Sequence, residues 1–213
     1  MREIIFPGVL LIVCLAFGHN TAIAQVDQHK SEVSGVITHI TLTDFQSRLF
    51  PTFGVGNNGV AGLGGRFTYN FNKQLALDSE LNFFPEAHLL NEEFAQKMQG
   101  FVGIKAGVRK KRVGVFAKAR PGVMWFGEFP TRGSCSTGPT FTVCNVAHET
   151  DFAMDVGGVV EFYPAGRLVI RADAGDTIIR YKSHLVATFP TTISVPAETK
   201  NNFQISLGFG WRF

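Results

Sequence analysis

The chain has 213 residues, of which 45% are hydrophobic and only 17% are charged, and its formal net charge is +3. So mild a basic excess gives no case for nucleic acid as a partner. The chain contains 23 glycines and 21 phenylalanines, and no window after the N-terminal segment has a sustained 3.6-residue apolar period, which excludes a helical protein and indicates an all-β fold.

The first 24 residues have the pattern of an export signal. A mostly apolar run extends over residues 4–17, and an Ala-Ile-Ala sequence ending at Ala24 matches the small-x-small pattern of a signal-peptidase site. The run is shorter than the about 20 apolar residues that a membrane-spanning helix needs. We therefore expect residues 1–24 to be a cleaved signal peptide and residues 25–213 to form one β-barrel domain.

Eight segments then read as strands, and each is long enough for a tilted membrane crossing, which takes about 9 to 11 residues. In chain order they are residues 32–43, 59–71, 75–85, 99–109, 113–127, 151–163, 168–181 and 202–213. Three connections are tight turns, at residues 72–74, 110–112 and 164–167. The other four are long, at about residues 44–58, 86–98, 128–150 and 182–201. This alternation is typical of outer-membrane barrels, whose short turns are periplasmic, and it predicts that both termini lie in the periplasm.

Alternation within the strands assigns an apolar face to lipid and a polar face to the lumen. In the last strand every second residue from Phe203 to Phe213 is apolar, whereas Gln204, Ser206 and Arg212 belong to the other face. Only the first strand is ambiguous. A soluble lipocalin-like barrel would reverse the two faces, and periodicity alone does not separate the two alternatives.

Aromatic residues near the strand ends favour the membrane barrel, because aromatic girdles mark the two membrane interfaces. The girdle predicted beside the short turns comprises Tyr69, Phe71, Phe162, Tyr163, Trp211 and Phe213. The girdle predicted beside the long loops comprises Phe83, Phe84, Phe101, Trp125, Phe126 and Tyr181.

An eight-stranded barrel has an interior just wide enough for side chains. The inner face is predicted to carry a lumen charge network of Arg66, Asp78, Glu80, Lys105, Lys118, Arg120, Asp155, Glu161, Arg171, Asp173 and Arg212, together with Arg109. Buried charges are costly unless they are paired and hydrogen-bonded, so this set is interpreted as a structural polar core. Catalytic carboxylates at Asp78 and Glu80 are the alternative interpretation.

Two cysteines and three histidines fall in the predicted long loops. Cys135 and Cys144 are separated by eight residues, and in an exported chain this spacing favours a local disulfide over a metal site. His88, His148 and His184 could form a metal or catalytic site if their loops converge. We expect no metal and no cofactor.

Two segments resemble the small outer-membrane β-barrel domain family, which includes OmpA-like barrels. They are GRFTYNFNKQLALDSE at residues 65–80 and FQISLGFGWRF at residues 203–213, and the similarity extends over residues 25–213. The resemblance implies an eight-stranded antiparallel up-and-down transmembrane barrel in the cell outer membrane of a Gram-negative bacterium, surrounded by outer-membrane lipid and without a peptidoglycan-binding domain. It also implies that Phe209, Trp211 and Phe213 form the signal that the barrel-assembly machinery recognises.

Three classes of function are compatible with this fold: a structural or surface-interaction barrel with an unknown extracellular ligand, an enzyme that modifies lipid A, and a small pore. The fold cannot choose between them. No Ser-His-acid set stands out at matching strand ends, and a lumen filled by side chains leaves no channel. We therefore expect a non-enzymatic barrel that acts through its extracellular loops.

Overall fold

A computed structural model of the chain describes residues 30–43, 58–85, 87–89, 92–94, 96–137, 142–188 and 191–213. The predicted signal peptide, residues 1–24, lies outside the described residues. No helix within these ranges has the length and hydropathy to cross a membrane.

The described residues form twelve strands. They are β1 (Ser31–Leu42), β2 (Asn58–Asn70), β3 (Leu75–Phe84), β4 (Ala87–Leu89), β5 (Glu92–Phe94), β6 (Lys97–Arg109), β7 (Val113–Thr137), β8 (Thr142–Phe162), β9 (Leu168–Tyr181), β10 (His184–Thr188), β11 (Thr191–Val195) and β12 (Glu198–Arg212). Eight of them close into a barrel in the order β1-β12-β9-β8-β7-β6-β3-β2. Every neighbouring pair is antiparallel, and β1 closes the barrel by pairing with β12. The predicted all-β, eight-stranded antiparallel barrel is confirmed.

One end of the barrel carries the three short connections, and we call it the turn end. In the β2–β3 connection the Asn72 side-chain oxygen accepts hydrogen bonds from the backbone N–H groups of Gln74 and Leu75, both at 2.7 Å. Asparagine favours turns because its side chain can bond the nearby backbone in this way. The N–H of Lys110 donates to the carbonyl of Val113 at 2.8 Å in the β6–β7 connection.

The opposite end, which we call the hairpin end, contains more strand than the sequence predicted. Two small hairpins, β4–β5 and β10–β11, lie within the regions predicted as long loops at residues 86–98 and 182–201. The loop predicted at residues 128–150 is wrong for most of its length, because β7 and β8 continue their pairing as far as Thr137 opposite Thr142.

The β7–β8 extension escaped prediction because it does not keep a strict alternation. Its pairing slips between Phe126 and Phe129 and again between Pro130 and Cys135. Over these intervals β7 advances by three and five residues while β8 advances by two each time, so the extra residues all belong to β7. Such bulges bend a strand and break the period-two pattern without ending the sheet.

The structure also resolves the face of the first strand. Glu32, Val36 and Thr38 are buried in the interior, whereas Val33 and Ile37 are exposed on the outside. β1 therefore has the same alternation as the other barrel strands, although its inner face mixes apolar and polar residues.

Candidate functional site

The eleven residues of the lumen charge network all lie inside the barrel, and none is more than 8% exposed. They come from seven of the eight barrel strands, since β1 contributes none of them. Because alternate residues of a strand face the same side, each strand places its members at successive levels of the lumen.

Arg120 stands at the centre of this network and is fully buried. Its Nη1 donates to Asp78 Oδ2 at 2.8 Å and to Glu80 Oε2 at 2.7 Å. Its Nε donates to Asp155 Oδ2 at 2.8 Å, and Lys118 Nζ reaches the same oxygen at 2.8 Å. One guanidinium thus joins β7 to both β3 and β8.

Arg171 links opposite walls of the barrel. Its Nη1 and Nη2 donate to the two oxygens of Asp78 at 2.8 Å and 2.9 Å, and its Nε donates to Asp173 Oδ1 at 2.8 Å. Arg66 makes a second connection across the lumen, because it bonds both Glu80 on the neighbouring strand and Asp173 on β9. These contacts tie β2, β3 and β9 together.

Nearer the turn end, Glu161 contacts two cations of β6. It pairs with Lys105, and Arg109 Nη2 lies 3.3 Å from its Oε2. Arg109 also lies 3.4 Å from Glu32 Oε1, and Arg212 Nε lies 3.2 Å from the same Glu32 oxygen. The predicted network therefore extends to Glu32, an inner-face residue that the sequence analysis missed. The polar spacing of Glu32, Ser34 and Thr38 was the signal that could have found it.

Glycines on the inner face make room for these large side chains. A Cβ atom at Gly122 would lie 2.0 Å from the Gly100 carbonyl oxygen and 2.5 Å from Phe101 Cδ1. A Cβ atom at Gly64 would lie 1.9 Å from Asn82 Oδ1. Steric crowding in the lumen therefore explains why glycine is required at these inner-face positions.

Towards the hairpin end the lumen changes from charged to apolar. Nine buried side chains pack together there as an apolar cluster, which comprises Ile40, Leu42, Phe84, Phe101, Met124, Phe126, Ala153, Ile179 and Tyr181. In the same half of the lumen, Gln99 Nε2 donates to Gln204 Oε1 at 3.2 Å across the interior. The lumen is filled by ion pairs in one half and by hydrophobic side chains in the other.

This cluster corrects the predicted aromatic girdle at the hairpin end. Phe84, Phe101, Phe126 and Tyr181 are at most 1% exposed and face the interior. Only Phe83 and Trp125 of that predicted set belong to the outer face, and Phe83 is 42% exposed. The prediction placed these residues by their position along the strands, but the parity of a residue within its strand decides which face it joins.

The outer face of the barrel is a continuous apolar surface. Its exposed large hydrophobic residues are Val33, Ile37, Leu63, Phe67, Phe71, Leu81, Phe83, Met98, Val102, Ile104, Val108, Val113, Val115, Val123, Phe152, Val160, Phe162, Ile170, Phe203, Ile205, Leu207, Phe209, Trp211 and Phe213. All eight barrel strands contribute to it. A soluble protein rarely exposes an apolar surface this extensive, which instead indicates contact with lipid or with a partner.

The residues of the predicted assembly signal lie on this outer face at the turn end. Phe209, Trp211 and Phe213 are 61%, 47% and 59% exposed. The Phe213 N–H donates to the Ser31 carbonyl at 2.9 Å, and the Phe213 carbonyl accepts from the Ser31 N–H at 3.0 Å. The chain terminus is therefore part of the seam between β12 and β1.

Of the three histidines that could form a site, only His148 has a described side chain. His148 lies in β8 rather than in a loop, and its ring stacks on Trp125 with centroids 5.8 Å apart and an 18° angle between planes. His88 and His184 belong to β4 and β10, and their side chains lie outside the described part. No group of three or more His, Cys, Asp or Glu residues in the described part could hold a metal ion.

The two cysteines face each other in the β7–β8 extension. Cys135 and Cys144 are Cα partners in the ladder, although their side chains lie outside the described part. The disulfide therefore stays a prediction.

No protein-family model matches the chain, and no curated protein matches it by sequence. Solved structures do match it. Neisserial surface protein A is 11% identical, with 86% of this chain and 97% of that chain covered and a TM-score of 0.50. The fold is that of the small eight-stranded outer-membrane barrels. The barrel of Ail, the attachment invasion locus protein of Yersinia pestis, is 14% identical over 87% of this chain and 99% of that chain, with a TM-score of 0.47.

The outer membrane protease OmpT from Escherichia coli also matches the barrel, at 8% identity over 86% of this chain and 96% of that chain, with a TM-score of 0.41. Likeness at these identities is a likeness of fold, and one fold carries many activities. The prediction that the chain is not an enzyme is therefore not confirmed by the comparisons.

Proposed function

We propose that the protein is an integral barrel of a Gram-negative outer membrane, made with a cleaved signal peptide at residues 1–24 and inserted by the barrel-assembly machinery. The apolar outer face supports this proposal, because it surrounds the whole barrel where a soluble barrel would be polar. The turn end, with both barrel termini, is then periplasmic, since outer-membrane barrels keep their short connections on that side. The hairpin end faces outward.

We propose further that the protein acts through its hairpin end as a structural or surface-interaction barrel with an extracellular ligand. The observation that carries this is the filled lumen. Ion pairs cross it at Arg171 and Asp78, and the apolar cluster closes it above them. Ions would have to break buried pairs and enter an apolar constriction, so a pore is disfavoured.

The inner carboxylates do not favour catalysis either. Asp78 accepts hydrogen bonds from Arg171, Arg120 and the Thr68 hydroxyl, the last at 2.5 Å. Glu80 is bound by Arg66, Arg120 and the Asn82 amide. The lone pairs of such a carboxylate already accept hydrogen bonds from neighbouring side chains, so the carboxylate is poorly placed to accept a proton from a substrate.

Among the residues that the structure describes, the β7–β8 hairpin continues farthest past the barrel ladder. β8 pairs with β9 only from Phe152 onward, so residues 142–151 continue past that pairing for roughly 30 Å measured along the strand, at about 3.3 Å per residue. Extended connections on a rigid scaffold are where binding concentrates.

Two measurements on the same purified, folded protein test the proposal. Single-channel recording in planar bilayers should give no stable open-channel current, with a porin inserted in the same bilayers as the positive control. Mass spectrometry of lipid A incubated with the protein should show no change of acyl chains. Stable currents would establish the pore instead, and an acyl-chain change that His148→Ala or His184→Ala abolishes would establish the enzyme.

A further inference from the structure

Six cationic side chains surround the turn end of the barrel. Five of them belong to the short connections, in which residues 72–74, 110–112 and 164–167 include no Asp or Glu. Lys30, which directly precedes β1, is the sixth, and Asp27 before it lies outside the described residues. All six are exposed, and none of them forms an ion pair within the described part of the chain. We call this set the basic rim, and it comprises Lys30, Lys73, Lys110, Lys111, Arg112 and Arg167.

Carboxylate side chains do not neutralise the basic rim. Among the described residues, the carboxylates nearest the turn end are Glu32 and Glu161, which are buried and pair with the inner-face cations Lys105, Arg109 and Arg212. The four long connections have the opposite balance in the sequence, with seven carboxylates against five cations. The carboxylates are Asp44, Glu86, Glu92, Glu93, Glu128, Glu149 and Glu198, and the cations are Arg48, Lys97, Arg132, Lys182 and Lys200. The net positive charge of the connections is therefore concentrated at the turn end.

Backbone hydrogen bonds hold the basic rim against the barrel wall. The Lys30 carbonyl accepts from the Asn70 N–H at 2.7 Å, and the Arg167 carbonyl accepts from the Arg212 N–H at 2.7 Å. The Arg112 carbonyl is bound in the same way, at 2.9 Å, by the N–H of the residue that follows β8. Each bond joins a connection or terminal segment to a nearby strand of the barrel. The cations are therefore fixed at places distributed around the whole circumference.

The basic rim adjoins the apolar outer face. Val108 and Val113, which are 53% and 43% exposed, flank the three cations of residues 110–112. Phe71, which is 56% exposed, lies two residues before Lys73. Long cationic side chains lay their methylene stems along apolar surface and place their charged ends at its border. In a membrane that border is the level of the lipid headgroups.

We propose that the basic rim binds the phosphate groups of net anionic phospholipids, of the phosphatidylglycerol class, in the periplasmic leaflet. The proposal rests on the proposed function, because it requires the turn end to lie at the periplasmic face of the membrane. A zwitterionic headgroup brings an ammonium group towards the unpaired cations, whereas a phosphatidylglycerol headgroup brings none. Clusters of about four to eight Lys and Arg residues beside a membrane segment attract anionic lipid in this way. The circular arrangement favours lipid over a protein or a wall polymer, because lipid surrounds a barrel on every side.

The two tryptophans of the chain provide a probe at each end of the outer face. Trp211, which is 47% exposed, lies on β12 between β1 and β9, and therefore between Lys30 and Arg167. Trp125 lies near the hairpin end. The full barrel, with either Trp125→Phe or Trp211→Phe, is reconstituted in phosphatidylcholine bilayers. One sample contains brominated phosphatidylglycerol and the other contains the same fraction of brominated phosphatidylcholine, and bromine quenches tryptophan fluorescence on contact.

The ratio of quenching by the two brominated lipids gives the local lipid preference. Trp211 should prefer phosphatidylglycerol by at least about fivefold, the factor that about one cation contributes at an anionic surface. Trp125 should show no preference. Raising the salt concentration to about 1 M should reduce the preference at Trp211, because the screening length falls to about 3 Å.

Two charge-matched variants separate local binding from net charge. Lys30→Gln with Arg167→Gln keeps the backbone hydrogen bonds of both residues and should abolish the preference at Trp211. Lys110→Gln with Lys111→Gln removes the same charge from the far side of the rim, since β6 lies opposite β12 in the closed sheet. Exposed charges act over about 8 Å at physiological salt, so this control should keep the preference. Circular dichroism verifies that both variants are folded.

No preference at Trp211, an equal preference at Trp125, or an equal loss in the control variant would each overturn the proposal. Binding to purified peptidoglycan that depends on the basic rim, without any lipid preference, would assign the cations to the cell wall and overturn it too. Both leaflets of these bilayers have the same lipids, so the result does not depend on the direction of insertion. Conductance and lipid A turnover are measured separately, so a failure here is distinguishable from a failure of the proposed function.

Discussion

Arg171 and Asp78 stand on opposite strands of the barrel, β9 and β3, and join them by two parallel hydrogen bonds of 2.8 Å and 2.9 Å. Three strands lie between them in either direction around the closed sheet. Both groups are buried, so water cannot solvate the charge that remains when one partner is removed. The pair therefore braces the lumen from one wall to the other.

Removing one member of the Arg171–Asp78 pair should strongly destabilise the folded barrel. Asp78→Asn leaves Arg171 and Arg120 without their shared carboxylate and should lower the free energy of unfolding by about 3–5 kcal/mol. Denaturant unfolding in detergent micelles measures this. Asp176→Asn is the matched control, because Asp176 is exposed on the outer face and should change stability by less than about 0.5 kcal/mol. The double variant Asp78→Leu with Arg171→Met should recover part of the loss. Equal stability of Asp78→Asn and the parent would contradict a bracing role.

Glycine at position 122 is required by packing. Gly122→Ala would place a Cβ 2.0 Å from the Gly100 carbonyl oxygen, and such overpacking should cost about 1–3 kcal/mol. Gly35→Ala is the control on the opposite face, where nothing lies within 4 Å of the new Cβ. Alanine there should be neutral or stabilising by about 0.5–1 kcal/mol, because glycine loses more backbone entropy on folding. The same unfolding assay ranks the two variants, and the reverse order would refute the assignment of faces.

Cys135 and Cys144 should be bridged in protein isolated without reductant. Cys135 and Cys144 are Cα partners in the β7–β8 ladder, and directly opposite residues of an antiparallel pair have Cα atoms about 4.5–5.5 Å apart. That separation is within the range of disulfides. Thiol labelling in denaturant tests the bridge, and two reactive thiols would disprove it. Reduction should speed amide exchange in the hairpin while the barrel strands stay protected.

Phe213 is expected to matter for assembly more than for stability. Phe213→Ala keeps the backbone bonds to Ser31 but removes an exposed ring from the turn end, so it should lower the yield of folded barrel in cells and leave the unfolding free energy in micelles nearly unchanged. Phe203→Ala is the matched control, since Phe203 is exposed on the same face of β12 at the other end. Equal yields of the two variants would place the signal elsewhere.

Processing should occur after Ala24. Intact-mass spectrometry of protein purified from outer membranes should give a chain that begins at Gln25. Mutating Ala24 to a bulky residue should delay cleavage, whereas an equivalent change at Asn20 should not. Recovery of uncleaved protein, or of protein in the soluble periplasmic fraction, would count against the export scheme.

The amino-acid sequence by itself determined the number of barrel strands, their antiparallel order and the face of most residues. These depend on local information, namely the period-two pattern and the short turns. The pattern failed for β1, whose inner face is mixed, and for the β7–β8 extension, where bulges shift the parity.

Only the tertiary structure decided which charges meet and where the lumen becomes apolar. Arg171 and Asp78 are 93 residues apart in the chain, and no local pattern links them. Their pairing depends on the stagger that strands acquire when a sheet closes into a barrel. The same closure gathers Phe84, Phe101, Phe126 and Tyr181 into one cluster, although their positions along the strands had suggested an outer girdle. Sequence periodicity predicts which face of the sheet a residue lies on, whereas closure of the barrel determines which side chains it contacts across the lumen.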